Sequence, residues 1–186
     1  MKKNRYINLI LLLSIIIFNN MLVMEIGYNE NINEKNEQLQ GLLAQLRERD
    51  PNTNLRELFS SIANLVKEGA DINTKDFYGN TVLYYAVKFG IRRATLYFIN
   101  KGAQIDGFIS QENGLTLLMQ AVVNYDLWMV RTLVDKGADP NARNNEGLSA
   151  LSIAMSMRIR DNEIIDFLES KYGKPRVVTK CKAVEI

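Results

Sequence analysis

Histidine is absent from this 186-residue sequence, and cysteine occurs once, at Cys181. Without histidine, the chain lacks the commonest general base and the commonest metal ligand of proteins. A single cysteine excludes an internal disulfide and a zinc site built on several cysteines. A large excess of one charge is missing too, because 23 basic residues face 21 acidic ones. The balance gives no indication of a nucleic-acid-binding surface.

Motifs that carry chemistry are also missing. The sequence contains no Gly-rich phosphate loop, no nucleophile elbow and no cluster with metal-ligand spacing. Paired carboxylates such as Glu163 and Asp166 fall on a predicted helix, where such pairs usually form a solvated face. Cys181 is either a reactive thiol or incidental. We therefore expect no enzyme activity, catalytic residue, metal or cofactor, and neither a nucleic acid nor a small-molecule substrate as ligand.

The first 28 residues have the layout of an export segment. Three basic residues lie within the first five positions, and an almost wholly apolar run covers residues 6–18. This order is typical of a signal peptide. Residues 6–26 taken together are also about long enough to cross a bilayer, so a cleaved signal peptide and an uncleaved membrane anchor both fit, and a buried core helix is the third interpretation. Frequent Asn, Ile and Lys residues suggest an AT-rich genome, and we expect a bacterial source.

Residues 29–36 are polar and show no periodicity, which predicts a linker. Leucines then recur at helical spacing from Leu39 to Leu46, and Asp50-Pro51 ends the pattern. A second apolar pattern over residues 55–68 predicts another helix. Residues 37–70 are therefore expected to form N-terminal capping helices, and residues 174–186 a basic flexible tail.

An internal repeat organises the rest of the chain. Gly69-Ala70-Asp71 returns at Gly102 and at Gly137, with strides of 33 and 35 residues. A second pattern, Gly-x-Thr/Ser-x-Leu-x-x-Ala, starts at Gly79 and returns at Gly114 and Gly147 with strides of 35 and 33 residues. Two patterns that keep step through three copies indicate a repeat architecture. The difference in stride places two extra residues between Gly102 and Gly114, in a loop.

Each copy predicts a turn followed by two helices. Thr81, Thr116 and Ser149 are N-cap residue types that open the first helix, and the following Leu and Ala positions line its packed face. Second helices are predicted over residues 94–101, 129–136 and 164–170. Gly102 and Gly137 end the first two of these as C-cap residues. We expect Tyr84, Tyr85 and Trp128 to pack between copies.

These motifs resemble the ankyrin repeat family, with three full units over residues 71–173 and a partial unit before them. The resemblance implies an all-α solenoid of stacked helix pairs with projecting hairpin loops. The family's Thr-Pro-Leu-His motif has neither proline nor histidine in any of the three copies here. The histidine's bracing hydrogen bonds therefore cannot form, and we expect a melting midpoint below the hyperstable range of about 90 °C.

The family resemblance implies protein binding through the hairpin loops and the concave face formed by the first helices. Carried onto this chain, it selects a set of loop tips and helix positions: Phe77, Tyr78, Asn80, Lys88, Phe89, Phe108, Ile109, Glu112, Asn113, Leu115, Val123, Asn124, Asn145, Glu146 and Leu148. The apolar tips, Phe77, Tyr78, Phe108 and Ile109, are the strongest candidates, because polar residues are usual at such tips and exposed aromatic residues are enriched at binding hot spots. The alternative is that they pack between neighbouring loops.

Two functions fit the sequence. The first is an exported, membrane-anchored or secreted module that binds an unidentified protein partner. The second is a structural or inhibitory protein of the cell envelope, such as one that gives immunity to a toxin. In both interpretations, the chain contacts the membrane through residues 6–26 if that segment is retained.

Overall fold

The computed structural model describes residues 2–49, 53–106, 114–157 and 163–172. The chain divides into two compact units, Met1–Thr74 and Lys75–Ile186. The described helices are α1 (Lys2–Arg47), α2 (Leu55–Lys67), α3 (Val82–Lys88), α4 (Arg92–Asn100), α5 (Leu117–Val123), α6 (Leu127–Asp135), α7 (Ala150–Ser156) and α8 (Glu163–Tyr172). No strand occurs within these residues. The predicted tail, residues 174–186, lies outside them.

The first unit consists of α1 packed on α2. Leu39, Leu43 and Leu46 of α1 are fully buried, as their helical spacing predicts. Asn54 opens α2, and its side chain accepts hydrogen bonds from the backbone nitrogens of the first turn. No helix in the described part of the chain is both long enough and apolar enough to cross a membrane.

The predicted linker at residues 29–36 is helical, because α1 continues through it without a break. Contacts distant in sequence stabilise this polar stretch. The Asn36 side chain accepts a hydrogen bond of 2.7 Å from the backbone nitrogen of Asp71. The ammonium of Lys35 donates one of 2.7 Å to the carbonyl of Glu68, at the C-terminal end of α2. The polar residues that suggested a linker are therefore the ones that attach α1 to the end of α2.

The second unit repeats one design three times: a loop, a short first helix and a second helix that packs on it. Thr81, Thr116 and Ser149 are the N-caps of α3, α5 and α7, and each side-chain oxygen accepts the backbone N–H three residues on. The second helices lie within two residues of the predicted bounds. Local capping chemistry therefore sets the start of the first helix in each copy.

The first helices contact each other in series, α3 on α5 and α5 on α7, while α8 packs on α6 and α7. Ala86, Ala121 and Ala154 are completely buried at equivalent positions in this layer. Gly102 and Gly137 end α4 and α6 with φ angles of +91° and +100°, as predicted for left-handed C-caps. The result is a stack of helix pairs with the loops projecting from one edge.

Substitutes occupy the positions where the family motif has histidine. Met119 accepts a hydrogen bond through its sulfur from the backbone nitrogen of Thr116, at 3.5 Å. The Ser152 and Ser149 hydroxyls lie 3.0 Å apart. Tyr84 is buried, as predicted. In the second and third copies, these contacts close the N-terminal turn of the first helix.

Neighbouring copies are connected by side chains at the ends of their helices. Asp126 caps α6 and also accepts a 3.0 Å ion pair from Arg92 of the preceding copy. The Arg92 guanidinium lies 5.0 Å from the centre of the Trp128 ring. Trp128 therefore contributes to packing between copies, in agreement with the sequence-based prediction.

Candidate functional site

The first projecting loop of the second unit, residues 76–80, is organised by one buried carboxylate. Asp76 Oδ1 accepts hydrogen bonds from the backbone nitrogens of Tyr78, at 2.9 Å, and Asn80, at 2.8 Å. Its Oδ2 accepts from the Tyr85 hydroxyl at 2.6 Å and from the Asn80 side-chain amide at 3.3 Å. Gly79 closes the turn with φ of +81° and donates to the Asp76 carbonyl. Four donors therefore hold this carboxylate in place.

Tyr85 connects this loop to the core. Its side chain is fully buried on α3, and its ring stacks at 6.0 Å on Phe89. Burial, together with the hydrogen bond to Asp76 and the negative charge of that residue, raises the pKa of Tyr85 far above its ordinary value. The hydroxyl therefore remains a proton donor to Asp76 throughout the neutral range, and the loop is anchored to the first helix.

The anchored loop presents two aromatic rings. Phe77 is 87% exposed and Tyr78 is 39% exposed. Their rings meet edge to face, with centroids 5.4 Å apart. Phe77 thus projects outward instead of packing between loops. An exposed aromatic side chain on a fixed backbone loses little conformational freedom when a partner covers it.

Asn80 differs from the prediction that it lies on the contact surface. Only 8% of the residue is exposed, since its backbone and side-chain amides both point toward Asp76. Asn80 supports the loop from inside and offers no side chain to a partner.

The third loop has the same backbone with different chemistry. Asn144 replaces Asp76, and its side-chain oxygen accepts from the backbone nitrogens of Glu146, at 3.0 Å, and Leu148, at 2.8 Å. Ile153 stands where the first copy has Tyr85, so no hydroxyl reaches this amide. Asn145 and Glu146 are exposed at the tip, as predicted, while Leu148 is half-buried.

The second loop is only partly described. The predicted contact residues Phe108, Ile109, Glu112 and Asn113 lie outside the described residues, and Leu115 is half-buried. Gly114 has φ of +60°, and a Cβ placed on it would lie 2.9 Å from the Asn145 backbone nitrogen. The second and third loops are therefore in close contact at this glycine.

The predicted residues on the first helices have mixed roles. Lys88 is exposed and its ammonium lies 5.6 Å from the centre of the Tyr84 ring. Phe89 and Val123 are half-buried. The side-chain amide of Asn124 donates to the carbonyls of Val87, at 2.8 Å, and Lys88, at 3.1 Å. Asn124 therefore joins the ends of α3 and α5.

The sequence-based set of contact residues omitted Tyr125 and Met155, which are large, apolar and about half exposed on the first helices or their turns. Tyr125 could have been found by aligning the copies, since it occupies the position of Gly90. The described residues contain no group of three or more side chains placed to hold a metal ion.

A comparison with known families agrees with this repeated geometry: residues 54–144 match the family model for ankyrin repeats in three copies. The chain carries ankyrin repeats. Its fold is accordingly an all-α ankyrin solenoid, as the sequence predicts. Ankyrin repeats are protein–protein interaction modules and are generally not catalytic.

Several ankyrin repeat relatives are similar over about half of this chain. A protein of Acanthamoeba polyphaga mimivirus named for its ankyrin repeats is 31% identical over 118 residues, covering 58% of this chain. The B-cell lymphoma 3 protein homolog of Mus musculus is 37% identical over 84 residues, or 45% of this chain. An ankyrin repeat-containing protein of Treponema pallidum is 31% identical over 106 residues, or 53% of this chain. The matched segments span 15%, 18% and 35% of these relatives' own lengths.

Proposed function

We propose that this ankyrin repeat protein binds a protein partner through its loop tips, with Phe77 and Tyr78 as the principal contacts. The observation that carries the proposal is the 87% exposure of Phe77 on a loop fixed by the buried Asp76 carboxylate. Water is displaced from a large ring on binding, and the loop is already ordered. Asn145 and Glu146 of the third loop extend the contact along the same edge.

The proposal assigns no catalytic step to the chain. Histidine is absent from the sequence, and the two fully described loops, residues 76–80 and 144–148, contain no serine, threonine or cysteine. Binding without chemistry agrees with the family's general role.

The test compares variants of the full chain as bait in its native setting, with captured proteins quantified by mass spectrometry. Phe77→Ala combined with Tyr78→Ala is expected to reduce recovery of the partner at least about tenfold, as removal of a hot spot of about 2 kcal/mol predicts. Asp166→Ala with Lys171→Ala is the control, because both side chains are exposed on α8, which carries none of the proposed contact residues, and the net charge is unchanged. Equal recovery with the loop variant and wild type, when both are folded, contradicts the proposal.

We further propose that the chain is exported, with residues 1–28 as signal peptide or membrane anchor. The basic start and the apolar run over residues 6–18 support this. N-terminal sequencing of the mature protein distinguishes the two forms: a new terminus near residues 20–30 indicates cleavage, and an intact Met1 in the membrane fraction indicates an anchor. An intact Met1 in the soluble cytoplasmic fraction contradicts export.

A further inference from the structure

The turn between α5 and α6 contains an unusual backbone conformation. Tyr125 has φ of +56° and is the only residue other than glycine with positive φ among the described residues. Side chains disfavour this left-handed region because Cβ approaches the following carbonyl group. The equivalent turn of the preceding copy uses Gly90, with φ of +67°. Both turns have the same hydrogen bonds, in which the left-handed residue donates to the carbonyl three residues earlier.

The turn itself does not require an aromatic side chain at Tyr125. At the equivalent Gly90 of the preceding copy, a Cβ would meet no atom within 4 Å, and the same turn forms there without a ring. Tyr125 remains 53% exposed. A tyrosine in a conformation that favours glycine, with half its surface in water, indicates a role outside the fold.

Asn124 holds the Tyr125 turn next to Lys88, the last residue of α3. Its side-chain amide binds the carbonyls of Val87 and Lys88, which brings the Tyr125 turn directly against the end of α3. Lys88 is exposed there, and in the part of the chain that the structure describes no carboxylate forms an ion pair with it.

The charges around this point are mainly positive. Lys88 is the only charged residue in the three first helices, α3, α5 and α7. Arg93 is exposed at the start of α4, whereas Arg92 and Asp126 neutralise each other in their ion pair. A partner with a carboxylate is therefore favoured over one with a basic group.

We propose that Tyr125 and Lys88 form a second contact point of the partner-binding face, which takes a peptide segment carrying an acidic side chain next to an apolar one. The carboxylate pairs with Lys88, and the apolar side chain packs on the Tyr125 ring. This inference rests on the proposed binding function. It extends the contact surface from the loop tips at the N-terminal ends of the first helices to the turns at their C-terminal ends.

The probe is a random peptide library displayed on phage and selected against the full chain. Selected peptides are expected to be enriched in Asp and Glu beside apolar residues, and the enrichment in acids is expected to disappear on Lys88→Glu. Affinity for a selected peptide, measured by fluorescence anisotropy, is expected to fall about tenfold in Tyr125→Gly and to persist in Tyr125→Phe, which keeps the ring.

Thermal stability separates a contact residue from a packing residue. Glycine accepts positive φ without strain, so Tyr125→Gly is expected to melt at the same temperature as wild type or higher. Weaker binding without loss of stability is the signature of a contact residue. A lower melting temperature shows instead that the ring packs in the fold, which overturns the inference.

The outcomes for the two contact regions are distinguishable. Peptides that require Phe77 and Tyr78 but bind Tyr125→Gly normally refute this inference and leave the loop-tip proposal intact. Peptides that require Tyr125 but tolerate Phe77→Ala with Tyr78→Ala support this inference and refute the loop-tip proposal. Failure to select any peptide, or selection without acidic enrichment, also overturns the inference.

Discussion

Replacing Tyr85 with phenylalanine removes one hydroxyl from the network under the first loop, and we expect it to destabilise the second unit by about 2 kcal/mol. The ring itself stays, so the buried packing of α3 is preserved. What is lost is a 2.6 Å hydrogen bond to a carboxylate. Hydrogen bonds to charged groups contribute about 1.5–3 kcal/mol. Asp76 keeps its two backbone donors and the Asn80 amide, which limits the loss.

At about 4 °C per kcal/mol, this destabilisation lowers the melting temperature by about 8 °C. The assay is thermal and urea unfolding of the full chain at neutral pH, followed by circular dichroism. The third copy supplies the matched comparison, because it combines Asn144 with Ile153 and has neither the charge nor the hydroxyl. In a Tyr85→Phe background, Asp76→Asn is therefore expected to cost less than it does in wild type, with a coupling of about 1 kcal/mol.

Two results would refute this reasoning. One is a Tyr85→Phe variant whose stability lies within about 0.5 kcal/mol of wild type, the range of an ordinary surface substitution. The other is strict additivity of the two substitutions, because independent sites add and members of one hydrogen-bond network do not.

Three further predictions concern other contacts. The free energy of unfolding is expected to fall as the pH rises above about 10. Tyrosine then ionises in the unfolded chain, while the raised pKa keeps Tyr85 protonated in the folded chain. Urea unfolding at alkaline pH is expected to show a smaller loss of stability in Tyr85→Phe than in wild type. Gly114→Ala is expected to destabilise the chain more than Gly90→Ala in urea unfolding. Both substitutions cost about 1–2 kcal/mol because the backbone is left-handed there, but only the Cβ at residue 114 collides with Asn145. Equal losses of stability would contradict the close contact. Asp126→Ala removes the cap of α6 and is expected to lower the free energy of unfolding by about 1 kcal/mol in the same assay. Arg92→Ala loses only an exposed ion pair and a contact with the Trp128 ring, so its loss of stability is expected to be smaller. A larger loss in Arg92→Ala than in Asp126→Ala would refute the assignment of the cap.

The helix pairs of the repeats could be predicted from the sequence because most of their boundaries depend on local chemistry. Thr81 and Ser149 cap helices through the backbone three residues on, and Gly102 ends one through its own φ angle. These interactions lie within one turn of the chain and repeat with the motif. Comparing copies was therefore enough to locate both helices of each pair.

The errors came from interactions that the residue types and their spacing do not reveal. The polar stretch at residues 29–36 has no helical pattern, yet Asn36 is bonded to a backbone group 35 positions away. Asn80 is of a residue type common at exposed loop tips, but its side chain points inward because it donates a hydrogen bond to the buried carboxylate of Asp76. The left-handed backbone conformation of Tyr125 cannot be predicted from its residue type. Only its alignment with Gly90 distinguishes it, at the same stride of 35 residues that separates Gly79 from Gly114.

The anchoring of the first loop restricts how its tip can be transplanted. Phe77 and Tyr78 are held by Asp76, whose buried carboxylate accepts hydrogen bonds from the Tyr78 backbone, from Asn80 and from Tyr85. Moving the two aromatic residues alone into the third copy would place them on an amide-centred loop without the link to its first helix. An engineer who grafts this tip onto another ankyrin scaffold should therefore transfer five positions, one of which lies on the helix and outside the loop.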